Sequence, residues 1–369
     1  MSLVFVVGTR PEFVKVGPIV AELKALGITP TVIATGQHWD LLKGTPAETD
    51  LADSVSLGLP AHGDPLRWVG GAVSRIASKA QALQATMVVV QGDTASALAG
   101  ARAGHKSGLP VVHIEAGVRS GNLDEPWPEE GFRREITMIA DWHYAANQHC
   151  VDNLLKEGIP RERILLTGNP VVSALQRYAN ATVKPPQPHI LLTMHRREWL
   201  ASVDAGAFSA ALDQFCERNP TLSLFWPMHP AVVQRGGFRF PDRPNFCAMG
   251  PLPYQRMVDF LSTAHGLATD SGGLVEEATT LGIPTAILRN SNDRPEAVTY
   301  GPARQFSRTD LETAFHWLTQ DHGPRHPSGV YGDPRAAEWI AAHLRTLLGE
   351  TESLQNTEKT LYPRYGKRS

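Results

Sequence analysis

Short apolar runs alternate with longer amphipathic stretches along this chain, and the alternation occurs twice. That rhythm constrains the fold more than any single motif, because strands separated by helices of this length build parallel βα units. In the first half it predicts strands at Leu3–Val7, Thr31–Ala34, Met87–Val90, Val111–Ile114, His143–Ala145 and Ile164–Leu166, with helical stretches such as Phe13–Leu26 and Arg67–Gln84 between them. The segment Val183-Lys184-Pro185-Pro186-Gln187-Pro188 can neither continue a helix nor join a sheet interior, so residues 183–189 read as a linker. Strands resume at Ile190–Thr193, Leu222–Trp226, Gly266–Ala268 and Thr285–Leu288, with helices near Asp204–Glu217, Tyr254–Ala264, Gly273–Leu281 and Pro334–Leu348. The expectation is an α/β protein with a first domain over residues 1–182 and a second over 190–349. A polar tail, 350–369, either frays or packs back on the first domain.

A chain of 369 residues, 42% hydrophobic and 20% charged, can fill two ordinary cores. Its 35 Lys+Arg balance 37 Asp+Glu, which excludes a field suited to a nucleic-acid backbone or an anionic membrane; any anion must be held locally. The run Leu3–Val7 is too short to span a bilayer and lacks a basic flank, so it reads as a buried strand rather than a signal peptide. Cys150, Cys216 and Cys247 lie far apart with no CxxC pair, which suits the cytoplasm and marks them as packing residues.

Ligands of open α/β sheets lie beyond the carboxyl ends of the strands, and those positions are polar here. In Thr269-Asp270-Ser271-Gly272-Gly273-Leu274-Val275-Glu276-Glu277, two glycines let backbone N–H groups approach a ligand, and the next helix offers its N-terminal donors to phosphate. Glu277, one turn inside, could take ribose hydroxyls. The plainer reading is a turn capped by Ser271. After the first strand, Arg10 and Lys15 could clamp a diphosphate, or could be solvated charges in an ordinary N-terminal turn.

Three carboxylates follow other strands. Asp93, in Gln91-Gly92-Asp93-Thr94, could equally cap the next helix, and Glu129, in Pro126-Trp127-Pro128-Glu129-Glu130, could be a partner of the helix dipole. Glu115 ends the apolar run Val111-Val112-His113-Ile114, where a carboxylate must be paired, protonated or functional. His195 stands at the ligand edge of the second half, whereas His229, between Met228 and Pro230, reads as a turn residue. With no HExxH motif, the scattered acids and histidines make a weak case for a metal.

Together these blocks resemble the non-hydrolysing UDP-N-acetylglucosamine 2-epimerases. The likeness runs from Gly8 to about Asp333, through Gly8-Thr9-Arg10-Pro11-Glu12, Gln91 to Thr94, His113 to Gly121, Pro126 to Glu130, Thr167-Gly168-Asn169-Pro170, His195-Arg196-Arg197-Glu198, Thr269 to Glu277 and Asp293 to Val298. The resemblance implies two Rossmann-like, doubly wound domains of the glycosyltransferase-B type with a cleft between them. It implies interconversion of UDP-GlcNAc and UDP-ManNAc, by elimination of UDP to a 2-acetamidoglucal and re-addition, in the supply of cell-envelope polysaccharide. Asp93, Glu115, Glu129 and His195 then fall on catalytic positions. Arg10, Lys15, Ser271, Gly272, Gly273, Glu277 and Arg294 fall on substrate-binding ones, with Leu252, Tyr254 and Met257 at the uracil. Gln37, His38 and His229 match positions that help bind a second, activating nucleotide sugar in bacterial members. A UDP-sugar is the implied partner, in a homodimer, with no cofactor, metal, nucleic acid or membrane called for.

Several acids suit such chemistry. The C2 proton is weakly acidic and leaves as the C1–oxygen bond to UDP breaks, and it must return on the opposite face, which one carboxylate on one face cannot manage. Which acid takes the proton and which gives it stays open. The chain also departs from the family: Phe132 and Trp199 each replace Asn, Val275 replaces Gln, and Met257 replaces Phe. These changes leave room for a relative acting on another UDP-2-acetamido sugar, one hydrolysing it, a glycosyltransferase, or a non-enzymatic nucleotide-sugar sensor.

Overall fold

The computed structural model describes residues 2–36, 46–59, 64–178 and 188–349. Gln37, His38, linker residues 183–187 and the tail 350–369 lie outside the described residues. The chain divides into two compact units. One holds the chain up to Arg119, Trp127–Arg177 and the chain from Gly332; the other holds Ser120–Pro126 and Tyr178–Tyr331.

The first unit carries a seven-stranded sheet: β1 Ser2–Val7, β2 Thr31–Ala34, β3 Val55–Ser56, β4 Ala85–Gln91, β5 Val111–Ala116, β6 Trp142–Ala145 and β7 Ile164–Leu166, in the order β3-β2-β1-β4-β5-β6-β7. Every pairing is parallel. Helices cover both faces of such a sheet, so its central strands read as unbroken apolar runs: Val88, Val89 and Val90 are all fully buried.

The second unit repeats the plan with six parallel strands, β8 His189–Thr193, β9 Ser223–Pro227, β10 Phe246–Met249, β11 Gly266–Thr269, β12 Thr285–Leu288 and β13 Ala303–Phe306, in the order β10-β9-β8-β11-β12-β13. Both sheets are doubly wound, and each reverses its strand order at one place, β1 beside β4 and β8 beside β11. Loops after those strands diverge and open a crevice, which selects them as ligand-binding positions within each unit.

Three strands escape the sequence reading: β3, β10 and β13. Each is two to four residues long, lies at a sheet edge and is partly exposed, too short to display a period. Two boundaries also move. His189, read as linker, is the buried first residue of β8, its Nε2 donating to Phe260 O at 2.9 Å. Helix Ala336–Leu347, placed by sequence in the second domain, groups with the first unit. It packs on helix Arg10–Ala25, its His343 Nδ1 meets the buried Tyr144 hydroxyl at 2.7 Å, and Ser173 Oγ donates to Pro334 O at 2.6 Å. Gly332 permits this return: its φ is +97°, and a Cβ there would stand 2.7 Å from Gly168 Cα. Among the described residues, no helix is long and apolar enough to cross a membrane.

Candidate functional site

In the first unit the polar cluster grows from the ends of β1, β4 and β5. The turn after β1 is tied by Glu12, whose Oε2 accepts from Gly8 N and Thr9 N at 3.1 and 2.6 Å, while Thr94 Oγ1 donates to Oε1 at 2.8 Å. Burial raises the Glu12 carboxyl to about 7, against the lowering effect of these bonds. The tie links the turn that presents Arg10, half-buried at the helix start, to the turn that presents Asp93.

Glu115 departs from regular strand geometry. Its φ is +66°, and the β5–β6 register shifts between Ile114 and Ala116. The buried carboxylate is met on Oε2 by Lys15 Nζ and by Gln91 Nε2, each at 2.5 Å. Of the readings open for this acid, pairing is the one observed, and the Lys15 ammonium, anticipated at a diphosphate, is engaged with Glu115.

Asp93 is not a helix cap. That place belongs to Thr94, whose Oγ1 accepts from Ala97 N at 3.0 Å. Asp93 Oδ2 instead takes Arg133 Nε at 2.7 Å and Nη2 at 2.5 Å. Arg133 rides on helix Glu129–Ile139, which half-buried Glu129 opens; Glu129 thus holds a first-turn position where its charge suits the helix dipole. Phe132 of the same helix is buried in the apolar core with Leu98 and Ile136, so this family departure is a packing residue.

The second unit has its own cluster, at the ends of β8 and β11. Asp270, buried, accepts from His195 N and Arg196 N on Oδ2 at 2.8 Å each, and its Oδ1 lies 3.3 Å from His195 Nδ1. One carboxylate therefore fixes the backbone at His195 and Arg196 and lies close to the His195 ring. The His195 ring stacks on that of His229, centroids 5.2 Å apart; His229 caps helix Pro230–Arg235 by accepting Ala231 N on Nδ1 at 3.2 Å, the turn role expected of it.

Helix Gly272–Leu281 starts beside this cluster. Ser271 occupies the N-cap position with extended backbone, yet its side chain makes no capping hydrogen bond, so the plainer reading of a capped turn fails. A Cβ on Gly272 would stand 3.8 Å from both Arg196 Nη2 and Arg294 Nη2, and nothing lies within 4 Å of such an atom on Gly273. Two guanidinium groups thus flank unprotected helix N–H groups, the arrangement that holds phosphate. Arg294 is oriented by Glu276, Nε to Oε1 at 2.5 Å, and neighbouring Asp293 takes Arg289 Nη1 at 2.6 Å. Glu277 is buried further along the helix.

Met257 and Leu252 belong to one apolar cluster with Leu261, Leu267 and Leu274, the last being the third residue of the phosphate-type helix. Tyr254 is buried at the start of helix Tyr254–Thr263, its ring edge-on to Tyr178. Trp199 lies in the second core, stacked on Phe238 at 5.8 Å, and Val275 packs with Ile287 and Ala297; both departures serve the interior. Cys150 and Cys216 are buried, but Cys247 is exposed on the edge strand β10, so it is not a packing residue. Among the described residues, no group of three or more His, Cys, Asp or Glu could hold a metal ion.

Sequence reasoning missed the partners: Gln91, Arg133, Asp270, Arg196 and Glu276. Each sits inside or beside a block quoted for its neighbours, but the pairings span 18 to 75 positions for the ones that cross elements, and no local signal announces them.

The family model described as UDP-N-acetylglucosamine 2-epimerase matches residues 21–345. A curated UDP-N-acetylglucosamine 2-epimerase of Neisseria meningitidis is 32% identical over 325 residues, covering 82% of this chain and 87% of its own. The crystal structure of the Neisseria meningitidis enzyme bound to UDP-GlcNAc superposes with a TM-score of 0.85 at 29% identity, over 95% of this chain and all of that one. A glycosyltransferase of Streptomyces nogalater, 16% identical with a TM-score of 0.55 over 94% of this chain and 99% of its own, is similar in fold alone.

Proposed function

The chain belongs to the UDP-N-acetylglucosamine 2-epimerase family, and from that premise we propose that it interconverts UDP-GlcNAc and UDP-ManNAc. The reaction is an isomerisation. A carboxylate takes the C2 proton while the C1–oxygen bond breaks, leaving a C1=C2 double bond in 2-acetamidoglucal and releasing UDP. UDP oxygen then re-forms the bond to C1, and a proton arrives on the other face of C2, so atoms balance without a redox partner.

The observation that carries the reading is Gly272, flanked by the Arg196 and Arg294 guanidinium groups at an uncapped helix start. We assign the diphosphate to these groups with Ser271 and Gly273, and the growing leaving-group charge to His195 of the same cluster; Arg10, at a helix start of the first unit, is a proposed substrate contact. Leu252, Tyr254 and Met257 offer apolar surface for the uracil, and Glu277 takes ribose hydroxyls. Glu115, Asp93 and Glu129 are the proposed acid/base set; the buried cationic partners of the first two support anionic carboxylates there. The cytoplasm suits the widely spaced thiols, and the homodimer rests on family likeness.

The test is incubation with UDP-GlcNAc in heavy water. The reading expects deuterium at C2 of both UDP-sugars with UDP retained in the nucleotide-sugar pool. Tight UDP binding without C2 exchange would sink it in favour of a sensor, and steady accumulation of free UDP in favour of a hydrolase.

A further inference from the structure

Glu115 adopts a left-handed backbone conformation, unusual for a residue with a long side chain, and such strain persists only where surrounding contacts over-determine it. Two contacts converge on the same atom. Lys15 Nζ and Gln91 Nε2 both lie 2.5 Å from Glu115 Oε2. Their roles differ in kind. The lysine ammonium is a point charge on a flexible stem and tolerates many directions of approach. The Gln91 amide is planar, and it projects from the last residue of β4, a strand whose preceding valines are fully buried. Its neighbour Gly92 donates from N to Ile114 O at 3.0 Å, and Gln91 pairs in register with Ile114, so the backbone that carries the amide is anchored to the residue just before the register shift.

We infer that Gln91 is a positioning residue: its Nε2–H fixes the direction in which the Glu115 carboxylate faces, while Lys15 supplies the compensating charge. The inference rests on the reading of Glu115 as an acid/base group at C2. An amide suits the task because it orients an anion without carrying charge and without offering a proton in competition with the transferred one. A carboxylate held by Lys15 alone keeps its charge but not its angle, and misplacement by about 1 Å costs on the order of 100-fold in rate.

The experiment compares the full chain with Gln91→Met and Gln91→His, following C2 deuterium exchange, KM for UDP-GlcNAc and UDP affinity. Gln91→Met is expected to hold KM and UDP affinity within about twofold while kcat falls roughly 10- to 100-fold. Gln91→His, whose Nε2 is as many bonds from Cα as the amide nitrogen, is expected to recover most of the loss. Wild-type kcat in Gln91→Met would overturn the inference, as would a fall in kcat matched by a fall in UDP affinity and left unrepaired by His. Should Gln91→Met fail to fold, Gln91→Asn withdraws the amide by one methylene and carries the same expectation. If the unaltered chain shows no C2 exchange, the acid/base reading of Glu115 fails first and the role of Gln91 falls with it.

Discussion

Arg133 donates from Nε to Asp93 Oδ2 at 2.7 Å, and the same buried guanidinium reaches Glu130 Oε2 at 3.3 Å, so one cation serves two carboxylates. Glu130 is fully buried, whereas the Asp93 side chain is 26% exposed. Of the two carboxylates, Asp93 is therefore the one open to solvent.

Removing that cation takes the guanidinium from Asp93, while Glu130 keeps Arg134 Nε at 3.3 Å. Arg133→Met is expected to cost about 3 kcal/mol, the low end for breaking a buried ion pair because Asp93 keeps some hydration. Arg133→Lys retains charge but loses the fork and should cost about half as much. Urea unfolding measures both; a loss below about 1 kcal/mol in the Met variant would make the pair equivalent to a surface contact.

Ser271→Asp separates helix stability from anion binding. An aspartate at this uncapped position accepts from the first-turn N–H groups and should add roughly 0.5 to 1 kcal/mol to stability. The same charge occupies the seat proposed for the diphosphate, so UDP affinity should fall at least about tenfold. Calorimetry that found both Tm and UDP affinity raised would remove the diphosphate from this helix start.

Asp270→Ala leaves His195 N and Arg196 N without their shared acceptor. Burying an unmet donor costs about 1 to 3 kcal/mol, so a combined loss of roughly 3 kcal/mol is expected, with kcat lowered because the backbone that carries His195 loses its anchor. Asp270→Asn, which keeps an acceptor oxygen, should lose less on both counts. Equal behaviour of the two variants would argue against the hydrogen-bonded role.

Acid should destabilise the fold before it protonates most carboxylates. Burial holds His113 at about 3, His143 at about 4 and His343 at about 4, all below 6.5. Below pH 6.5 the unfolded chain gains protons that the folded chain refuses, so stability falls with pH down to about 4, by about 1.4 kcal/mol per unit for each histidine. Glu12 works the other way: raised to about 7, it gains its proton first in the folded state and adds stability between pH 7 and 4.5. His265, also lowered, and Glu296, also raised, act in opposite senses, so the three histidines against Glu12 leave stability falling with pH near pH 5.5. Urea midpoints at pH 7.5, 6 and 5 test this, and a flat series would contradict it.

The strand-end blocks were legible because turns, glycines and helix starts are local chemistry: Ser271-Gly272-Gly273 announces its helix start, and Gly8 to Glu12 its turn. Asp93 was misjudged as a possible cap because Thr94, one residue on, satisfies the same pattern. Trp199 and Phe132 looked like altered site residues because they adjoin polar motifs, yet both turn inward. Burial direction at a loop–helix junction depends on the packing beneath it, which adjacency in sequence does not encode.

By itself the sequence determined two successions of parallel βα units and the polar residues that close their central strands, since periodicity and turn preference act over a few residues. Only the tertiary structure decided which of those polar groups meet: Lys15 with Glu115 across 100 positions, Gln91 with Glu115 across 24, Asp93 with Arg133 across 40. It also sent helix Ala336–Leu347 back to the first unit. The physical reason is register. A bulge at Glu115 turns one side chain toward partners on two other elements, and its stability comes from those partners rather than from any preference of the local chain.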